Sequence, residues 1–208
     1  MRRVHITAAI AFGAALAASS AFAQPGVGGQ PPTSPQTPGA QMPQPVSPEE
    51  AERASRERKD RGFLENAVQR SHAQIEGSKL ALEKSENPDV KAFATKMVED
   101  HEQMARQAAQ AASAKGLTPP EGPSLLKKTE ITALRALSGG AFDNMYLSRI
   151  GIAGHEAAIE MFERAGEETQ DPEVKTLVDG TLPKLREHLQ MAQALKETRE
   201  KQESQARQ

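Results

Sequence analysis

Residues 87–105, "NPDVKAFATKMVEDHEQMA", and residues 171–192, "DPEVKTLVDGTLPKLREHLQMA", are two versions of one pattern. Each begins with a capping side chain, Asn87 or Asp171, followed by proline, an acid, Val and Lys. A proline at the first helical position has no N–H to leave unpaired and carries a φ already suited to the helix, so both stretches open a helix. Each then runs to a histidine followed by x-Gln-Met-Ala, 13 residues after the proline in the first copy and 16 in the second.

The arms before the turns match as well. Phe63 precedes His72 by 9 residues, and Phe142 precedes His155 by 13. The second copy is therefore about one helical turn longer on both arms, as a lengthened antiparallel hairpin requires. The periodicity predicts helices over about Arg61–Lys84, Pro88–Lys115, Ala141–Glu168 and Pro172–Glu197, with Gly116 closing the second. A short helix, Ser124 to Leu137, sits in the connection between hairpins, and Gly180 and Pro183 predict a kink in the last helix. No alternating β pattern competes.

That connection is long enough to run the length of a bundle, which sets the two turns at opposite ends. The expected fold is all-α: an antiparallel four-helix bundle of two duplicated hairpins joined by a long crossover carrying a short helix.

Outside the bundle, 62–198, the chain changes character. Residues 1–23 have a short basic start, an apolar run of small residues and Ala21-Phe22-Ala23, the pattern of a signal peptide cut after Ala23. Residues 24–47 hold seven of the fourteen prolines and almost nothing apolar, a composition that stays unordered. Ser47-Pro48-Glu49-Glu50 is a helix start with the residues of a capping box. It leads a charged helical segment, 48–61, while 199–208 is a polar tail.

Composition excludes several functions. There is no cysteine, so disulfides and thiol chemistry are absent. Without Arg2 and Arg3 the 26 basic residues fall to 24 against 28 acids, and this net-negative balance does not suit nucleic acid. No segment after the signal could span a bilayer. The expected location is periplasmic or extracellular.

The histidines carry the chemistry. His72 and His101 are equidistant from the first turn, and His155 and His188 from the second, about 22 to 25 Å along at ~1.5 Å per residue. All four therefore fall near mid-height, one per helix. Val90, Ala94, Met97, His101, Met104 and Ala108 step by alternating fours and threes, as do Val174, Val178, Thr181, Leu185, His188 and Ala192. These are core seams. His72 lies between Val68 and Ile75, and His155 between Ile152 and Ile159.

Clustered neutral imidazoles in a core are costly unless something unites them, and a transition metal would do so. The candidate ligands are His101, His155, His188, His72 and Glu76, which is one turn beyond His72. Met104 and Met191, three residues after their histidines, are candidate soft ligands, although core filling explains them better. Carboxylate partners would favour iron, manganese or zinc, and methionine would favour copper. His101-Glu102 and His155-Glu156 fail to complete HExxH, since Ala105 and Ile159 stand at the fifth position. Glu-x-x-His is missing from every helix, and no phosphate loop or paired nucleophile is present.

"VKAFATKMVEDH", "AFDNMYL", "AGHEAAIEMFERA" and "DPEVKTLVDGTLPKLREHLQMAQAL" together resemble the exported bacterial family called domain of unknown function 4142. The resemblance implies a ferritin-like four-helix bundle of the periplasm or outer membrane with no assigned activity. It points to Asp100, His101, Asp143, Tyr146, His155 and His188 as motif positions. An acid-x-acid pair typical of the family's first helix is matched here by Gln74 and Glu76. Two functions then stand as expectations. One is metal handling or envelope stress through the histidines. The other is a structural or interaction module whose histidines form a hydrogen-bonded polar layer with Asp143 and Tyr146. Neither requires catalysis.

Overall fold

Ser47 starts the first helix through the reciprocal bonds of a capping box. Its Oγ accepts from the backbone N–H of Glu50 at 3.2 Å, and the Glu50 carboxylate accepts from the backbone N–H of Ser47 at 2.9 Å. From there the computed structural model describes residues 46–206 and 208, within the compact unit Pro45–Gln208. The signal segment and nearly all of the proline-rich stretch lie outside the described residues.

Every described element is helical: α1 Pro48–Lys84, α2 Pro88–Ala114, α3 Leu125–Arg135, α4 Gly139–Tyr146, a π segment Leu147–Ala153, α5 Gly154–Glu168 and α6 Pro172–Ala206. Gly116 closes α2 at φ 69°, a left-handed conformation that costs glycine little. Three features differ from the sequence reading. The charged lead-in and the packed part of α1 are one helix, its exposed start supported by Arg53–Glu57 and Arg56–Glu52 pairs one turn apart. The helix expected over 141–168 contains the π segment. And α6 runs on past Glu197, through most of the expected polar tail, to Ala206, with Arg199 only 8 % exposed in an ion pair with Asp143 at 3.2 Å.

The two hairpin turns are built alike. Ser85 Oγ accepts from the N–H of Asn87 at 3.2 Å, and Thr169 Oγ1 from that of Asp171 at 3.1 Å. Asn87 Oδ1 then caps the N–H groups of Asp89 and Val90, and Asp171 Oδ1 those of Glu173 and Val174. Such caps are worth about 1 kcal/mol each. Both turns therefore use the same side-chain bonds, as an internal duplication would leave them.

Side-chain packing explains the rest of the arrangement. α1 lies along α2, and α5 with the π segment lies along α6; α2 also meets α6, and α1 meets α5. The apolar core is in two clusters. One joins Ala81 and Val90 at the first turn to Phe142, Tyr146, Ile150 and Ala192, and α3 seals it with Ile131 and Leu134. The other joins Phe162 and Val174 near the second turn to Phe63, Leu64, Met104 and Ala112. Phe63 and Phe162 meet edge-to-face with centroids 4.9 Å apart, worth ~0.5–1.5 kcal/mol beyond their buried area. The first turn thus belongs to one apolar cluster and the second turn to the other. Between the clusters lie His101, His155 and His188.

Among the described residues no helix is long and apolar enough to cross a membrane.

Candidate metal centre

On α2 the seam runs Met97, His101, Met104, and on α6 it runs Leu185, His188, Ala192, all buried. Along α4, the π segment and α5 the buried positions are Phe142, Asp143, Tyr146, Leu147, Ile150, Gly151, His155, Ala158 and Phe162. Nine residues separate Tyr146 from His155, half a turn out of phase at ~100° per residue of α-helix, and the wider turn of the π segment between them brings the two back towards one face. The close approach of this face to α6 is possible because residue 151 is glycine: a Cβ there would come within 2.9 Å of the Ala192 Cβ.

The three imidazoles form a nearly equilateral triangle, with ring centroids 5.3, 5.4 and 5.3 Å apart. His101 is 3 % exposed, and His155 and His188 are wholly buried. One ring nitrogen from each lies within 4.8 Å of the other two. His101 Nε2 and His155 Nε2 are 3.2 Å apart, within hydrogen-bond distance.

The partners of each ring fix its protons. His155 Nδ1 is 2.6 Å from the carbonyl oxygen of Gly151, which can only accept, so Nδ1 carries the hydrogen and Nε2 keeps a lone pair. His188 Nε2 donates to Asp100 Oδ2 at 2.9 Å, which leaves its lone pair on Nδ1. Facing the His155 lone pair, His101 donates through Nε2, and its own lone pair is on Nδ1. His101 Nδ1 and His188 Nδ1 are buried and find no hydrogen-bond partner among the described residues.

All three rings are held neutral. Burial, reinforced by the other two imidazoles, pushes His101 far below the ordinary imidazole range. Burial lowers His155 to about 4. It lowers His188 too, with Asp100 opposing only part of the shift. Neutral imidazole is the form that binds metal.

Asp100 forms the outer layer. Burial alone would raise its carboxyl, but hydrogen bonds from Lys184, His188 and Lys96 outweigh that and hold it well below the usual carboxylate range. Lys184 Nζ reaches Oδ1 at 2.9 Å and Lys96 Nζ reaches Oδ2 at 3.0 Å. An ionised carboxylate behind a histidine orients the ring and raises its basicity, the usual support of a metal-binding imidazole.

The other sequence candidates fall elsewhere. His72 is half-buried and Glu76 exposed, and neither joins the converging nitrogens. The inward seam of α1 is Asp60, Leu64, Ala67, Ser71, Gln74, Ser78 and Ala81, and His72 lies beside it, about 100° around the helix from Ser71. Counting along the chain sets a height but not a direction around the helix. Tyr146 and Asp143 are buried away from the imidazoles: Tyr146 Oη bonds Ser78 Oγ at 2.9 Å, and Asp143 pairs with Arg199. They do not form the layer with the histidines that the second expectation required. Met104 is buried and lines a small cavity with His101, while Met191 is half-buried against the first apolar cluster. Glu102 and Glu160 face solvent in pairs with Lys79 and Arg164.

Sequence reading missed Gly151 and Gly154 as parts of the site, and reached Gln74 only as the match to one acid of the family's first-helix pair. A seam search that admits polar residues at alternating fours and threes would have found Gln74, whereas the glycines carry no local signal.

The model of the family described as domain of unknown function (DUF4142) matches residues 45–195. No curated protein matches the chain. Among solved structures, a DUF305 fragment from Deinococcus radiodurans superposes with a TM-score of 0.60 at 18 % identity, covering 67 % of this chain and 96 % of that one. CopM in its Ag-bound form, obtained by co-crystallization, superposes with a TM-score of 0.56 at 21 % identity, covering 67 % and 96 %. CopM in its Cu(II)-bound form gives 0.54 at 19 %, with the same coverage. At these identities the likeness shows a shared helical fold.

Proposed function

This chain belongs to the domain of unknown function 4142 family, and from that premise and its buried histidines we propose that it is an exported helical-bundle protein that binds one transition-metal ion. The ligands are His101, His155 and His188. The convergence of three buried, neutral imidazoles carries the reading. As a purely structural layer they would leave His101 Nδ1 and His188 Nδ1 buried and unpaired, at about 1–3 kcal/mol each.

A three-imidazole donor set suits copper or zinc better than the carboxylate-rich sites of iron and manganese, since the one carboxylate in contact stands behind His188. CopM, solved with silver and with copper, supports copper as the first ion to test. Met104, which lines the same small cavity as His101, is a soft neighbour of the site. The α1–α2, α5–α6, α2–α6 and α1–α5 contacts support a ferritin-like antiparallel four-helix arrangement. The N-terminal basic, apolar and Ala-Phe-Ala segments support export to the periplasm. The role that follows is holding or passing metal in the cell envelope.

Metal analysis of untagged protein from the envelope fraction, with its N-terminus sequenced, tests this directly. We expect a mature chain beginning at Gln24 and about one equivalent of metal, lost in both His101→Ala and His188→Ala. Substoichiometric metal that survives both substitutions would sink the reading.

A further inference from the structure

Three histidines leave Gln74 unexplained. Its side chain projects from α1 and the residue is only 7 % exposed. Nε2 donates to the carbonyl oxygen of Ile150 in the π segment at 3.0 Å, and this bond fixes which end of the amide is which. Oε1 is then a buried acceptor with no hydrogen-bond partner among the described residues. A buried amide oxygen left unpaired costs about 1–3 kcal/mol, so the site is suited to something that donates to it.

A cavity of about 30 Å³ lies beside the amide, lined by Gln74, His101, Met104, Ile150 and Gly154 among others. That is room for one or two water molecules at ~10–15 Å³ each. The approach of the amide depends on the residue before His155 being glycine, because a Cβ on Gly154 would come within 2.7 Å of Gln74 Nε2. Cavity, orphaned acceptor and glycine are three separate observations at one place. A metal ion could accept a lone pair from Oε1 directly, as it does from other amide oxygens, but the cavity, which meets the triad at His101, has room for a water, and a metal-bound water donates hydrogen bonds to such an oxygen.

We propose that this cavity is the fourth coordination position of the metal, held by an exchangeable water that donates to Gln74 Oε1. Gln74 is a positioning residue, acting through that water. The inference rests on the three-histidine reading and makes the centre an open one, since tetrahedral zinc sites with three protein ligands keep their fourth position for water or substrate. Its rivals for the position are the Met104 sulfur and direct ligation by Gln74 Oε1, neither of which brings an exchangeable proton to the metal.

Pulsed EPR of the full chain loaded with Cu(II), in H₂O and in D₂O, separates water from both rivals. We expect imidazole nitrogen couplings together with a strong proton coupling that disappears in D₂O. In Gln74→Leu the nitrogen couplings and the metal stoichiometry persist and the exchangeable proton coupling is lost. Gly154→Ala, whose added methyl displaces the amide without touching a ligand, is expected to show the same loss and stands in if the first variant does not fold. Nitrogen couplings without an exchangeable proton in the unaltered protein would overturn this proposal alone and leave the metal reading standing. A proton coupling unchanged in both variants would overturn the role of Gln74. Absence of nitrogen couplings would overturn both readings.

Discussion

Asp100 stands between the buried imidazoles and the surface. Oδ2 accepts from His188 and Lys96, and Oδ1 from Lys184. Replacing it with asparagine keeps the shape and removes the charge. His188 then loses the carboxylate that orients it, and Lys96 and Lys184 lose their common counter-charge. Outer ligands of this kind typically contribute 10–100-fold to metal affinity. Asp100→Asn is therefore expected to weaken metal binding by about that factor in a competition titration while leaving the stoichiometry near one. Unchanged affinity would show that the carboxylate only ties α2 to α6. At this scale the sequence was informative about which histidines are core residues, because His101 and His188 sit on strictly alternating apolar seams. It misled for His72, whose neighbours Val68 and Ile75 are indeed buried but flank the seam rather than form it.

Among the elements, the π segment decides where His155 points. Its sequence, "LSRIGIA", gives no local reason to leave the α-helix, and a purely periodic reading continues through it. The wider turn fits because Gly151 lies against Ala192 of α6, one turn beyond His188, and because the Gly151 carbonyl receives the His155 proton. Gly151→Ala is expected to push these helices apart. Overpacking costs ~1–3 kcal/mol, partly offset by ~0.5–1 kcal/mol from the better helix propensity of alanine. Metal affinity should fall as His155 and His188 separate. Adding Ala192→Gly removes the opposing methyl and should restore much of that affinity, seen as positive coupling in a double-mutant cycle. Additive effects would mean that the contact does not position the site. The turns lay at the other extreme of legibility: Asn87-Pro88 and Asp171-Pro172 are caps set by local chemistry, and both form as read.

Over the whole molecule, the triad divides the apolar core in two. Holding it neutral ties stability to pH. His155 has a folded pKa of about 4 against about 6.5 in an unfolded chain, so between those values the unfolded chain binds more protons and stability rises with pH. The contribution is fully present above pH ~6.5 and is lost as pH falls through about 4. For His155 alone it amounts to ~3 kcal/mol, and His101 and His188 shift in the same direction. The metal-free protein is thus expected to show a denaturation midpoint that is flat near pH 7 to 8 and drops steadily between pH 6.5 and 4. A midpoint constant across that range would mean that the imidazoles are not buried in the neutral form.

By itself the sequence determined the helices, their caps and the matched heights of His101, His155 and His188, because these follow from neighbouring residues and a fixed rise per residue. Only the tertiary structure decided which histidines meet. Direction around a helix axis depends on what packs against it: Ser71 and Gln74 turn inward while His72 lies to the side, and a π turn fitted against α6 sets the angle of His155. Those are contacts between residues far apart in the chain, and periodicity does not record them.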